Sequence, residues 1–180
     1  PDSKYDFWKI LAKDKIKIEY SDDFEIPWCR ATTTFPFSLD QTYDVLKDLQ
    51  NYKNIFGRVT ESEILDSSIV YIRLDMPYFL ADRDYTVKYV ETQKGKDVIF
   101  QFYSVSHPNS PDNEGSVTLP RASGKWQLTP LAGGRCRVVY TWNGELLGRF
   151  PSISLQTAWK EQGTEVLTWL YDYLKTNKER

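Results

Sequence analysis

His107 is the single histidine of the 180-residue chain, and the two cysteines are Cys29 and Cys136. A Ser–His or Cys–His nucleophile would have to use His107. Pro108 follows it in a polar stretch, and neither cysteine has a base beside it in sequence. The HExxH, CxxC, Walker and GxGxxG patterns do not occur. No catalytic residue, metal-ligand set or cofactor site is therefore assigned. Cys29 and Cys136 lack metal spacing, and either two reduced structural thiols or one disulfide fits them. Asp82-Arg83-Asp84 sets three charges in a row. It reads as a fixed ion-pair network holding a loop to a strand, with recognition of a polar headgroup as the alternative. Arg73, Arg83 and Asp84 are the candidate polar anchors.

The elements that must position these groups follow from periodicity. Tyr5, Trp8 and Leu11 predict a short amphipathic helix over 3–12, and alternating Ile16, Ile18 and Tyr20 predict a half-buried strand. A further strand or strand pair covers roughly 24–35. Ser38 and Gln41 fit a capping box opening a helix striped by Tyr43, Leu46 and Leu49 and ended by Asn51. Strands at 59–65 and 68–76 pair about Asp66-Ser67. Four more follow at 85–92, 97–105, 123–129 and 135–142, with Gly95 and Gly133-Gly134 at turns and 107–114 as loop. A long last helix runs from about Ser154 to Thr176 behind Pro151, with Leu155, Trp159, Val166, Leu170 and Tyr173 on one face. Gly163 near its middle costs about 1 kcal/mol against Ala. Either close packing on a sheet or a ligand near the backbone offsets that cost. The pattern is α+β with an antiparallel sheet.

Size and composition bound the rest. One domain over 1–180 is expected, large enough for a core or for a core with a cavity. With 23 basic and 25 acidic residues interspersed, no electrostatic case for nucleic acid exists. Aromatic residues make up 15%, enough either for ordinary aromatic strands or for a pocket lined with rings. No apolar run approaches the ~20 residues of a membrane span. The chain opens at Pro1, which fits a removed leader or a trimmed chain and leaves the compartment open. Oligomeric state is likewise open.

Taken in order along nearly the whole chain, the motifs resemble the START family of lipid-transfer domains, in the wider helix-grip (Bet v 1-like) superfamily. Trp8 with Lys15 to Tyr20 is similar to the family's opening helix and first strand, and Tyr43 to Asp48 to its second helix. Pro77 with Asp82-Arg83-Asp84-Tyr85 resembles its Pro…Arg-Asp-Phe/Tyr signature. Ser104, His107-Pro108 and Pro111 sit as in its Ser…His-Pro…Pro stretch. Gly115-Ser116-Val117, Leu119-Pro120-Arg121 and Gly124 to Pro130 resemble the run before its penultimate strand. Gly148-Arg149-Phe150-Pro151 is like its entry to the closing helix. Two departures stand out. Thr118 replaces the usual arginine after Val117, with Arg121 nearby. No acid–base pair is assigned within the cavity, although Arg73 and Tyr89 fall near the strands that carry one in some members.

The resemblance implies a curved antiparallel sheet of about nine strands wrapped around a long C-terminal helix, with short N-terminal and mid-chain helices. It implies binding of one hydrophobic molecule, a lipid, sterol or fatty acid, rather than catalysis. A cyclase or dehydratase acting on an aromatic or polyketide substrate is the alternative, and a solid-core interaction module a third reading. Strand alternation then selects Leu74, Tyr85, Tyr89, Phe100, Phe102, Trp126, Tyr140 and Trp142 as sheet-side lining. Trp159, Gln162 and Val166 come from the helix. Phe79, Leu80 and Phe150 are the expected gate, with Phe79 and Leu80 suited to transient membrane contact. Sequence alone leaves open whether these rings fill the core or line a hollow.

Overall fold

Period-two alternation becomes paired strand wherever it is strong. The computed structural model describes residues 7–76, 80–112, 114–147 and 155–178. Its strands are β1 (Lys9–Lys13), β2 (Lys17–Ser21), β3 (Trp28–Phe35), β4 (Val59–Asp66), β5 (Ile69–Leu74), β6 (Asp82–Lys94), β7 (Asp97–Ser104), β8 (Ser116–Thr118), β9 (Ser123–Leu131) and β10 (Arg135–Asn143). The helices are α1 (Leu39–Lys47), α2 (Tyr52–Ile55) and α3 (Leu155–Lys178). Nine strands run antiparallel in the order β1-β2-β3-β10-β9-β7-β6-β5-β4. The short β8 joins β6 in parallel through Asp82, Arg83 and Asp84, the stretch of β6 that β7 does not pair. This is the expected α+β fold, a curved sheet with a long closing helix, plus one strand too short to show by alternation.

The capping box is formed. The Ser38 hydroxyl accepts from the Gln41 N–H at 3.1 Å, and the Gln41 side chain accepts from the Ser38 N–H at 2.9 Å. Two expectations for the helices need correction. The helix over 3–12 is absent from 9–12, which form β1 on the open edge of β2, and residues 3–6 lie outside the described residues. Three apolar residues at helical spacing are a weaker constraint than the unpaired backbone of an edge strand. The second helix stops at Lys47 rather than Asn51. A single 3-10 turn (Leu49–Asn51) and then α2 follow, carrying the buried Tyr52, Ile55 and Phe56. The cysteines are free and buried. Cys29 faces Trp142 and Cys136 faces Phe35, opposite ends of the β3–β10 ladder, which places them far beyond disulfide reach.

α3 buries Trp159, Gly163, Leu167, Leu170 and Leu174, a stripe at steps of three and four residues. It rests on β1, β2 and β3. A methyl group on Gly163 would stand 2.8 Å from both Ile18 Cδ1 and the Trp142 ring, and 3.2 Å from Ala31 Cβ. Close helix–sheet approach is therefore what requires glycine here. Gly163→Ala would gain about 1 kcal/mol of helix preference but overpack a site whose indole cannot yield, at about 1–3 kcal/mol. The expected outcome is a net loss of about 1 kcal/mol, seen as a lower denaturation midpoint with an unchanged slope.

Candidate functional site

On the other side of that contact the helix stands off the sheet. A cavity of about 250 Å³ lies between the α3 face bearing Ala158, Gln162 and Val166 and the inner faces of β5, β6, β9 and β10. Ligand pockets usually run from ~300 to 1,000 Å³, so this one is small for a ligand site as it stands. Cross-strand pairing builds its aromatic wall. Trp126 and Tyr140 face each other in the β9–β10 ladder and stack with ring centroids 4.3 Å apart. Tyr140 stacks on Trp142 at 4.9 Å, and Phe56 covers Trp126 at 6.1 Å.

Among the described residues, four phenols, those of Tyr52, Tyr85, Tyr89 and Tyr140, reach the same space. Burial pushes each well above the ordinary phenol range. Neighbouring phenols push Tyr89 and Tyr140 further in the same direction. Tyr52 donates to the Leu46 carbonyl at 2.8 Å and shares a hydrogen bond with Tyr89. At the rim, Glu145, Glu161 and Glu165 bring carboxylates to the cavity. Glu165 receives Arg58 through Nε at 2.7 Å and Nη2 at 2.8 Å, and Glu145 is paired with Arg121.

Arg83 is the buried cation of the site, 1% exposed. Alternation on β6 turns it inward between Asp82 and Asp84. Its Nε and Nη2 donate to the Leu146 carbonyl at 3.1 and 2.8 Å, Nη2 also to Leu147 O at 2.6 Å, and Nη1 to Ala81 O. Burial pulls its basicity down. The triplet does hold loops to a strand, but not as an internal ion-pair network. Asp82 pairs with Arg73 at 2.9 Å, and Asp84 accepts from Ser116 and, at 2.8 Å, from Thr118. Arg83 itself bonds backbone. It clamps Leu146 and Leu147, of which Leu147 has a positive φ of 21°.

Of the residues picked from sequence, Leu74, Tyr85, Tyr89, Phe102, Trp126, Tyr140 and Trp142 line the cavity. So do Gln162 and Val166, along with Leu80 and Arg83 at its edge. Phe100 does not; it is packed behind Tyr89 and against Tyr43. Nor does Trp159, on the adjacent face of the same helical turns, whose Nε1 donates to Gly144 O at 2.9 Å. Arg73 and Asp84 point to the outer face, because they alternate with the inward Ile72, Leu74 and Arg83. Thr86 lies on the outer face of β6 and is nevertheless buried, held by Ser110 of the loop that covers it. Phe79 and Phe150 lie outside the described residues. Tyr52, Phe56, Glu161 and Glu165 also reach the cavity, and sequence reasoning did not select them. The Tyr52–Phe56 spacing of four was the available signal for the first two.

The model of the family described as polyketide cyclase/dehydrase and lipid transport matches residues 35–157. An uncharacterized protein of Pseudomonas aeruginosa is 29% identical over 83 residues, 46% of this chain and 41% of that protein, so the chain spans less than half of that relative's length. The STAR-related lipid transfer protein (fragment 25–204) of Xanthomonas axonopodis superposes at a TM-score of 0.80 with 24% identity, over 93% of this chain and 98% of that one. Human StAR-related lipid transfer protein 5 gives 0.82 with 15% identity, over 98% and 89%. At these identities the structural likeness speaks for the fold.

Two outcomes follow from this geometry. A phenol that binds its proton more tightly folded than unfolded contributes stability fully below the unfolded value of about 10 and loses it as pH rises beyond. Unfolding free energy should therefore fall above pH ~10, by up to about 1.4 kcal/mol per pH unit for each such tyrosine. Tyr85→Phe with Tyr140→Phe should make the fall shallower in denaturation curves taken across the alkaline range. Arg83→Met should strand the carbonyls of the clamp. A loss of about 2–4 kcal/mol is expected, with faster amide exchange concentrated at 144–147.

Proposed function

Because the chain belongs to the polyketide cyclase/dehydrase and lipid transport family, within the START-type helix-grip superfamily, we propose that it binds one hydrophobic molecule between sheet and closing helix and carries it. The single observation behind this reading is an aromatic wall and a helix face that do not meet. Packed interiors keep few voids larger than a water molecule, whereas about 250 Å³ stays open here among Trp126, Tyr140, Leu74 and Val166. Withdrawing a guest from water into that space yields about 0.8 kcal/mol for each buried CH₂. Ten such groups would supply about 8 kcal/mol before the cost of association.

Passage requires the rim to part. Met76 and Leu80, with Leu146 and Thr157, line the cavity and are the candidates to move. Leu147, 37% exposed beside them, would meet a membrane during loading. Turnover of an aromatic or polyketide substrate is the second reading, favoured by the four phenols that could polarise a carbonyl.

Native mass spectrometry of the purified protein, lipid extraction and transfer between vesicles test the first reading. A co-purified or added apolar molecule should bind at one per chain. Ala158→Trp, which projects an indole into the cavity from a half-buried position, should weaken binding at least tenfold while leaving the circular dichroism unchanged. Undiminished binding by that variant, or no binding by the wild type, overturns it.

A further inference from the structure

We infer that Tyr85 and Tyr140 form an uncharged hydrogen-bonding subsite, which selects a hydrophobic ligand ending in a hydroxyl or carbonyl oxygen over one ending in a carboxylate or phosphate. The inference rests on the ligand-carrying reading above and names the chemistry of the ligand's polar end. Tyr52 and Tyr89 satisfy each other and the Leu46 carbonyl. The Tyr85 and Tyr140 hydroxyls, by contrast, make no hydrogen bond to the described residues and are not sealed off from the cavity that both side chains line. Both line the cavity, and Tyr85 keeps part of its surface open to it. Beside Tyr140, the buried Trp142 indole N–H is also without a partner. Buried polar groups in folded proteins are nearly always hydrogen-bonded. One buried N–H left free beside two phenols that open onto the same void therefore marks where a polar atom of the guest belongs.

The charge of that atom follows from what surrounds it. With burial holding the phenols protonated, they remain O–H donors with acceptor oxygens at any physiological pH. An anionic end would need a cation, and among the described residues the two that reach the cavity are committed. Arg58 is bound by Glu165, and Arg83 spends its donors on the carbonyls of Ala81, Leu146 and Leu147. Glu145, Glu161 and Glu165 at the rim add like charge along the entry path of an anion. A cationic end would find no carboxylate beside the phenols among the described residues, because those three carboxylates stand at the rim, two of them paired. A plain hydrocarbon would leave both hydroxyls unsatisfied. A neutral oxygen alone avoids all three costs.

The experiment compares decanol, decanoate and decane at neutral pH by calorimetry or native mass spectrometry, on the wild type and on Tyr85→Phe/Tyr140→Phe. The wild type should bind decanol about tenfold or more tightly than either of the others, since each hydrogen bond gained is modest and two are available. In the double variant the preference should collapse to the decane level, with decane affinity itself unchanged, which also reports that the cavity is intact. Decanoate binding as tightly as decanol, or a double variant that keeps the preference, overturns the inference and leaves the carrier reading standing. Failure of all three probes to bind takes down both.

Discussion

The closeness of α3 to one half of the sheet governs everything beneath it. Gly163 lets the helix axis sink until Ile18, Ala31 and Trp142 touch its backbone surface. A straight helix pressed onto one side of a curved sheet must rise off the other. Trp159 acts on the same side, wedged under Gly144 with its N–H bound to that carbonyl. Where the helix has risen, over β5 and β6, the side chains of Ala158, Gln162 and Val166 are too short to reach the opposite wall. The cavity is thus a consequence of tight packing next to it rather than of loose packing within it.

The cavity also explains how polar groups come to be inside. β6 is long enough to serve two layers: its second half pairs with β7, and its first three residues pair with β8. Strict alternation along that first stretch sends Asp84 outward to the hydroxyls of β8 and Arg83 inward to the backbone at 146 and 147. One tripeptide thereby fixes two loops on opposite faces. A buried guanidinium without a carboxylate is costly, and multiple carbonyl acceptors offset part of that cost. The arrangement ties the segment leading into α3 to the strand that forms the cavity wall, so movement of the rim and movement of Arg83 are one event.

Legibility in the sequence follows the strength of local constraint. The alternation of Tyr85, Val87 and Tyr89, or of Val138, Tyr140 and Trp142, fixed inward and outward faces because one face of each strand is buried. The capping box at Ser38 was equally plain, since both of its hydrogen bonds are local. The failures lie where tertiary context decides. Edge pairing with β2 made strand of 9–13, and nothing within those residues announces it. The outer face of β6 is buried at Thr86 by the loop that carries Ser110, which alternation along the strand does not announce. Alternation gives the face a residue occupies but not how far along the strand the void extends. This is why Phe100, correctly inward, falls beyond the cavity's end while Phe102 lines it. Tyr52 and Phe56 were overlooked because the short α2 follows a 3-10 turn and carries too few residues to display a period.

The division between carriage and turnover in such a cavity comes down to protons. Catalysis by general acid and base needs groups whose affinity for a proton lies near the working pH. The interior phenols are moved the other way, by the same burial that makes them good donors to a neutral oxygen. They can hold and orient a carbonyl, yet none is ready to take a proton from it. The carboxylates that could do so stand at the rim, where Arg58 and Arg121 hold two of them. A guest drawn inward by its hydrocarbon and fixed by its oxygen would therefore rest with its reactive end among donors and away from bases. That geometry favours protecting a molecule over transforming it.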